Sequence, residues 1–193
     1  GVQTCALPIF LKPEELDEDY IKSAKILHIT GITPALSETC RKSVFKAIEI
    51  AKANNVLVSF DPNIRLKLWT REEAIPVLLE IAKQSDIIFP GVDEGEMLLG
   101  LTKPEEIADS FMKMGCSVVA VKLGEEGCLV ADKENKLYVK SYRQENPQDT
   151  VGAGDGFAAG FLSGILNKLD FKECGEYANR SEEHTSELQS PVR

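Results

Sequence analysis

The sequence of 193 residues predicts an α/β fold with a mostly parallel central sheet. Short runs rich in β-branched residues alternate four times with segments of helical periodicity, and the connections between them are of ordinary length. One run, SVVAVKLG at 117–124, is almost wholly apolar, as expected of a strand buried on both faces of a parallel sheet. This alternation favours helices packed against a single sheet.

The first elements follow from local patterns. AKILHIT at 24–30 is a predicted strand that TGITP ends with turn-forming residues, and His28 within it is expected to be a hydrogen-bonded structural histidine. Apolar residues spaced by three and four predict an amphipathic helix over 36–54, with Ser37 as its N-cap. VLVSFD at 56–61 is predicted to be the second strand.

A capping box marks the next helix. Thr70 is followed three residues later by Glu73, which predicts a helix that begins there and reaches about Gln84, with Pro76 inside it. The remaining elements are predicted in this order: strand 86–90, helices 93–99 and 104–114, strand 117–124, a hairpin of GCLVAD with KLYVKSY, and a helix over about 154–167.

Composition excludes several classes of protein. The 22 Lys and Arg against 31 Asp and Glu give a net charge of −9, which disfavours binding to the phosphate backbone of nucleic acids. No run approaches the roughly 18 apolar residues of a membrane span, so we expect no membrane partner. The five cysteines are widely separated and show no CxxC pairing, which predicts reduced thiols and a cytoplasmic protein.

Both ends of the chain are expected to be foreign to the protein. GVQTCALPI lacks the basic segment of a secretory signal, and RSEEHTSELQSPVR interrupts an apolar helical pattern. The DNA string agatcggaagagcacacgtctgaactccag encodes RSEEHTSELQ, and its reverse complement encodes GVQTCALPI in another frame. We therefore expect translated sequencing adapter at 1–9 and 180–193, and natural sequence at 10–179.

The clearest chemical signal is DTVGAGDGFAAG at 149–160. Gly152 and Gly154 flank Ala153 at a predicted helix start, where N–H groups of the first turn can converge on an anion. Asp155 lies in the same turn, where the helix dipole favours a carboxylate. A phosphoryl group and a base could thus be placed together. The alternative is a glycine-rich helix start with an acidic first turn.

This motif resembles the carboxyl-terminal signature of the ribokinase family, also called the PfkB carbohydrate kinases. The resemblance implies a ribokinase-like three-layer sandwich, with 10–179 as a partial domain whose N-terminal lid region is missing. It implies ATP and Mg²⁺ as cofactors and Asp155 as the general base toward a sugar hydroxyl. The amides of Gly152, Ala153 and Gly154 would form the anion hole. VKLGEEGCLV resembles the nucleotide side of the family, which implies four ATP-binding residues: Lys122, Leu123, Gly124 and Gly127.

Two of the implied residues have plain structural alternatives. The Asn-x-x-Glu motif of the family, linked to magnesium and phosphate, corresponds here to GVDE, where Gly91 stands in place of the asparagine. Glu94 is therefore the candidate metal ligand, with capping of a helix as the alternative. For Lys122 the alternative is a solvated lysine at the end of a strand.

The segment DPNIRLKLW at 61–69 bears on the substrate. Asp-Pro-Asn alone is ordinary turn chemistry, but an arginine at the carboxyl edge of a sheet can pair with a carboxylate or phosphate. The segment resembles the branch of the family that phosphorylates the sugar acid 2-keto-3-deoxygluconate. The resemblance implies that Asn63 and Arg65 contact nucleotide phosphate or substrate. Fructokinases carry related motifs, so a fructokinase is the alternative, as is an inactive truncated fragment; an oligomer is compatible with the intact enzyme.

Overall fold

The computed structural model describes residues 10–141 and 152–188, with side chains up to Ser181. The chain divides into two compact units. The first comprises the chain up to Ile88 together with Lys113–Cys116. The second comprises Phe89–Met112 together with the chain from Ser117 onward.

The first unit is built on three parallel strands in chain order. They are β1 (Ile26–Thr30), β2 (Leu57–Asp61) and β3 (Ile87–Ile88). Thr30 pairs with Asp61, so the carboxyl ends of β1 and β2 lie side by side. Its helices are α1 (Glu18–Ser23), α2 (Ile32–Leu36), α3 (Glu38–Ala53) and α4 (Arg71–Ala82), with a 3₁₀ turn at Pro13–Glu15.

Both predicted helix starts of the first unit are confirmed. The Ser37 hydroxyl accepts the N–H of Cys40 at 3.1 Å at the start of α3. Thr70 and Glu73 form the reciprocal capping box of α4, with backbone-to-side-chain distances of 2.9 and 3.3 Å. Pro76 lies inside α4 without ending it. Side chains from α3, α4 and the strands form the fully buried core: Ile48, Val58, Phe60, Leu78, Ile81 and Ile88.

Two local predictions for the first unit were incomplete. The turn predicted at TGITP is followed directly by helix α2, because the Thr30 hydroxyl accepts the N–H of Ile32 at 3.1 Å and starts a helical turn. The strand predicted at 86–90 is shorter, since only Ile87 and Ile88 pair with β2. Short apolar runs do not specify where pairing stops.

The second unit combines an antiparallel sheet with four helices. Its strands are β4 (Val118–Lys122), β5 (Cys128–Ala131) and β6 (Lys136–Val139), each antiparallel to the next, so the predicted hairpin is confirmed. Gly91 bridges to Lys122 in parallel orientation. The helices are α5 (Val92–Leu99), α6 (Pro104–Met114, whose last residues belong to the first unit), α7 (Ala153–Leu166) and α8 (Phe171–Leu188), with a 3₁₀ turn at Gly124–Glu126.

Close helix packing characterises the core of the second unit. A Cβ atom on Gly160 would lie 2.9 Å from Cα of Ala178, and one on Gly164 would lie 3.0 Å from Cα of Cys174. Glycine at these two positions therefore lets α7 and α8 approach closely. Helix α8 continues through residue 180, where we expected foreign sequence to begin, and that expectation stays a prediction. Within 10–141 and 152–188, no helix has the length and apolarity needed to cross a membrane.

Candidate active site

The start of α7 has the geometry predicted for an anion site. Gly152 is the N-cap, in the left-handed conformation with φ of 82°, and its carbonyl accepts the N–H of Gly156 at 2.9 Å. Ala153, Gly154 and Asp155 form the first turn, whose N–H groups precede the helical hydrogen-bonding pattern. Among the described residues no side chain caps this end. The backbone N–H groups of the first turn and the positive end of the helix dipole therefore both favour a negative charge at this end of α7.

Asp155 lies in this first turn and is exposed, as a base that meets substrate must be. The next turn of α7 is anchored by aromatic packing. Phe89, Phe157 and Phe161 are fully buried, and the ring of Phe89 meets the other two edge-on at centroid distances of 6.0 and 5.4 Å. Because Phe89 is two residues from Gly91, this packing ties the start of α7 to the chain that enters α5.

The end of β4 and the turn after it hold the four predicted nucleotide residues together. The N–H of Leu123 donates to the carbonyl of Gly127 at 2.8 Å, and the N–H of Gly127 donates to Gly124 at 2.9 Å. Gly127 has φ of 97°, and a Cβ there would lie 2.5 Å from N of Ser141. No other residue fits at this position. The backbone N–H of Lys122 donates to the carbonyl of Pro90 at 2.8 Å, which joins the turn to the start of α5.

Glu94 caps the helix in which it lies. Its Oε2 accepts the backbone N–H of Gly91 at 2.8 Å. The capping alternative is thus confirmed. Within the described ranges, no cluster of three His, Cys, Asp or Glu side chains could hold a metal by itself. A magnesium ion held by one carboxylate plus substrate phosphates would fit the single carboxylate of Glu94, which therefore stays a prediction as a metal ligand.

In the first unit, the loop of residues 62–69 connects β2 to α4 and carries the other predicted site residues. Asp61, buried at the end of β2, accepts the N–H of Asn63 through Oδ1 at 3.2 Å, and Asn63 has φ of 36°. Arg65 is exposed, and its Nη1 donates to the carbonyl of Ile64 at 3.4 Å. The loop thus presents a guanidinium to solvent just beyond the carboxyl end of a strand, where α/β proteins bind ligands.

Sequence reasoning missed Gly31. Its N–H donates to the carbonyl of Asp61 at 2.9 Å, and a Cβ atom there would lie 2.9 Å from both the carbonyl carbon of Pro62 and Cδ2 of Leu78. The glycine therefore lets the end of β1 approach the loop of residues 62–69. A Thr-Gly pair at the end of a strand was the available signal, but it is also ordinary turn sequence.

Other predicted residues have structural roles or lie elsewhere. His28 in β1 places Nδ1 2.8 Å from Oγ of Ser59, which confirms a hydrogen-bonded histidine. Asn63 and Arg65 belong to the first unit, and the remaining predicted site residues belong to the second. Asp149 and Thr150, which begin the glycine-rich motif, lie outside the described residues.

The fold and the helix start together define an α/β protein in which first-turn backbone amides of a helix lie beside a carboxylate. The model of the pfkB carbohydrate kinase family matches residues 7–181. The chain belongs to the pfkB family of carbohydrate kinases. The predicted family is thereby confirmed, and its members are phosphotransferases that act on carbohydrates.

The chain is also similar in sequence to two individual sugar kinases. The 2-dehydro-3-deoxygluconokinase of Bacillus subtilis is 39% identical over 170 residues, which cover 88% of this chain and 52% of that protein. Probable fructokinase-4 of Arabidopsis thaliana is 36% identical over 167 residues, covering 82% and 49%. The chain therefore spans about half the length of these relatives.

Solved structures confirm the predicted ribokinase-like fold. The crystal structure of a PfkB protein from Polaromonas sp. JS666 superposes with a TM-score of 0.86 at 32% identity, covering 94% of this chain and 59% of that one. Fructokinase from Vibrio cholerae, determined with fructose, ADP and a calcium ion bound, superposes with a TM-score of 0.79 at 28% identity, covering 89% and 58%.

Proposed function

We propose that the complete protein transfers the γ-phosphoryl group of ATP to a hydroxyl of 2-keto-3-deoxygluconate. The observation that carries the kinase part is the start of α7, where first-turn amides and Asp155 lie together. The observation that favours a sugar acid is Arg65, an exposed guanidinium beyond the carboxyl end of β2. The 39% identity to a 2-dehydro-3-deoxygluconokinase supports the same substrate.

Asp155 acts in this proposal as the general base. It takes the proton from the attacking sugar hydroxyl, which typically contributes about 10²- to 10⁴-fold to the rate. The amides of the first turn of α7 stabilise charge on the transferring phosphoryl oxygens. The hydroxyl oxygen bonds to phosphorus as the bond from phosphorus to ADP breaks, so no covalent enzyme intermediate is needed.

Nucleotide binding is proposed for the turn after β4. Lys122 ends β4, Leu123, Gly124 and Gly127 lie on the hydrogen-bonded turn that follows, and a structural relative was determined with ADP bound. Magnesium, held by Glu94 together with phosphate oxygens, would neutralise charge on the phosphates. Cys40, Cys116, Cys128 and Cys174 are buried thiols, which supports our proposal that the protein works in the reducing cytoplasm.

Two alternatives remain distinct from this proposal. A fructokinase is favoured by the 36% identity to a plant fructokinase, and such an enzyme acts on a sugar without a carboxylate. An inactive fragment is the other alternative, since the chain spans about half the length of its relatives. We propose that residues 10–179 are the kinase portion and that 1–9 and 180–193 are foreign; the uninterrupted gene would test this.

Arg65 provides the test of the substrate. The assay uses a complete kinase in which residues 10–179 of this chain replace the matching 170-residue segment of the Bacillus subtilis relative. Arg65→Ala removes one charge-assisted hydrogen bond, worth about 1.5–3 kcal/mol, so kcat/KM for the sugar acid should fall roughly ten- to hundredfold. For fructose, which has no carboxylate, the fall should be much smaller.

Lys67→Ala is the matched control, because Lys67 is an exposed cation in the same loop. It should leave the ratio of the two kcat/KM values unchanged. An equal loss on both sugars after Arg65→Ala, accompanied by a raised KM for ATP, would assign Arg65 to the nucleotide instead. Activity in the complete kinase but not in the isolated chain would identify the chain as an inactive fragment.

A further inference from the structure

The loop of residues 62–69 carries Arg65, and it is held at its ends. At the entry, Asp61 accepts the N–H of Asn63, and Gly31 lies against Pro62. Between the ends, the four residues from Arg65 to Leu68 are exposed. One backbone bond crosses this stretch, from the N–H of Leu68 to the carbonyl of Arg65 at 2.9 Å. Contacts at the two ends therefore determine where the Arg65 guanidinium points.

Trp69 forms the exit end of the loop. It is 6% exposed although its neighbours Leu68 and Thr70 are both exposed. The guanidinium carbon of Arg41 lies 5.8 Å from the centroid of the Trp69 ring, which is within the range of a cation–π contact. The indole Nε1 is buried and has no hydrogen-bond partner among the described residues, so the ring is held by packing and by Arg41.

Arg41 is itself fixed from the opposite side. Its Nε lies 3.5 Å from the carbonyl of Pro34 in α2, and its Nη1 lies 4.0 Å from Glu38, one turn earlier in α3. Its charge also reaches the start of α4, where hydrogen bonds from Thr70 lower the pKa of Glu73 and Arg41 adds to that lowering. The side chain thus joins α2, α3 and the loop exit within one unit.

We propose that Arg41 and Trp69 form an anchor that positions Arg65, and that Arg41 is therefore a positioning residue for sugar-acid specificity. The inference rests on the proposed role of Arg65 toward the substrate carboxylate. Arg41 touches the loop only at its exit and acts through the placement of the loop. Removing the Arg41 guanidinium should loosen the exit of the loop and let the Arg65 side chain adopt more orientations. This should weaken the directional contact between Arg65 and the substrate carboxylate more than it lowers the stability of the fold.

The first test uses the chain itself. Trp69 is the single tryptophan, so its fluorescence reports on the anchor alone. Arg41→Met keeps an unbranched side chain and removes the charge; its tryptophan emission should shift to longer wavelength and its quenching by acrylamide should rise. Lys42→Met is the matched control, because Lys42 also pairs with Glu38, at 3.4 Å, and is exposed. Unchanged emission and quenching in Arg41→Met would overturn the anchor.

The second test uses the complete kinase. Arg41→Met should lower kcat/KM for the sugar acid by roughly two- to tenfold, the size expected of one cation–π contact, through a raised KM, with a smaller effect on fructose. Adding it to Arg65→Ala should cause no further change in the ratio of the two sugars. Arg41→Lys, which keeps the charge, should restore part of the loss.

The outcomes separate this inference from the proposed function. Equal losses of kcat/KM on both sugars after Arg41→Met would overturn the positioning role of Arg41. A double variant in which the effects of Arg41→Met and Arg65→Ala on the sugar ratio add fully would overturn it as well. An Arg65→Ala variant with an unchanged sugar ratio would instead remove the proposed substrate role of Arg65, and the fluorescence test would still decide whether the anchor exists. Circular dichroism of Arg41→Met should match that of the parent chain; if this variant is unfolded, Arg41→Lys supplies the comparison.

Discussion

Gly31→Ala is expected to destabilise the chain by steric overlap alone. Gly31 has φ of −65°, which alanine adopts without strain, so no backbone penalty arises. The new Cβ would overlap the backbone carbonyl oxygen of Pro62, its nearest neighbour, and would lie 2.9 Å from the Pro62 carbonyl carbon and 2.9 Å from Cδ2 of Leu78. Carbon atoms pack best at about 3.5–4.0 Å, so Cδ2 of Leu78 must move by roughly 0.6–1.1 Å, and the backbone carbonyl of Pro62 must move farther.

The expected cost follows from two opposing effects. Overpacking of this kind costs about 1–3 kcal/mol, and replacing glycine lowers the entropy of the unfolded chain by an amount worth about 0.4–1 kcal/mol. Because a backbone carbonyl must move, we expect the upper end of the overpacking cost, and a net loss of about 2–3 kcal/mol remains. At roughly 2–4 °C per kcal/mol for a chain of this size, the melting temperature should fall by about 4–12 °C. The displaced Pro62 also begins the loop that carries Arg65.

Urea unfolding followed by the fluorescence of Trp69 measures this loss, since Gly31 and Trp69 belong to the first unit, and circular dichroism follows unfolding of the control, which lies in the second unit. Gly91→Ala is the matched control: a Cβ there meets Oε2 of Glu94 at 3.6 Å, an ordinary contact. The control should unfold within about 1 kcal/mol of the parent, because the modest N-cap penalty and the entropy gain nearly cancel. A Gly31→Ala chain within about 0.5 kcal/mol of the parent would refute the steric reasoning.

Two further predictions concern Asp155 at the start of α7 and the buried thiol of Cys116. Asp155→Asn in the complete kinase should keep the fold and lower kcat by roughly 10²-fold or more, measured as ADP release, whereas Asp93→Asn in the first turn of α5 should not; near-normal turnover would refute the base. Burial, and next the charge of Asp86, raise the pKa of Cys116 to about 12, so the thiol should resist alkylation at pH 8 until urea unfolds the chain. Since the unfolded thiol ionises near its ordinary value of 9.0, stability should fall as pH rises from about 9 toward 12, and Cys116→Ala should flatten that fall.

Elements with strong local signals were predictable from sequence. Ser37 and the Thr70–Glu73 pair cap their helices as expected, because a cap is formed by residues three apart in the chain. The ends of β3 were not predictable, since pairing partners from elsewhere in the chain decide where a short apolar run stops being a strand. Helix α2 was missed because five residues carry too little periodicity.

The residues of the candidate site also divide into those that the local sequence predicts and those that depend on tertiary contacts. The sequence by itself determined the motif that places Asp155 in a first helical turn, because glycines and an acidic residue at a helix start act through their own backbone. It could not assign Gly31 or Arg41. Their roles depend on contacts with Pro62 and Trp69, which are 31 and 28 residues away along the chain. Only the tertiary structure brings such residues together, because packing contacts depend on distance in space and leave no periodic trace in the sequence.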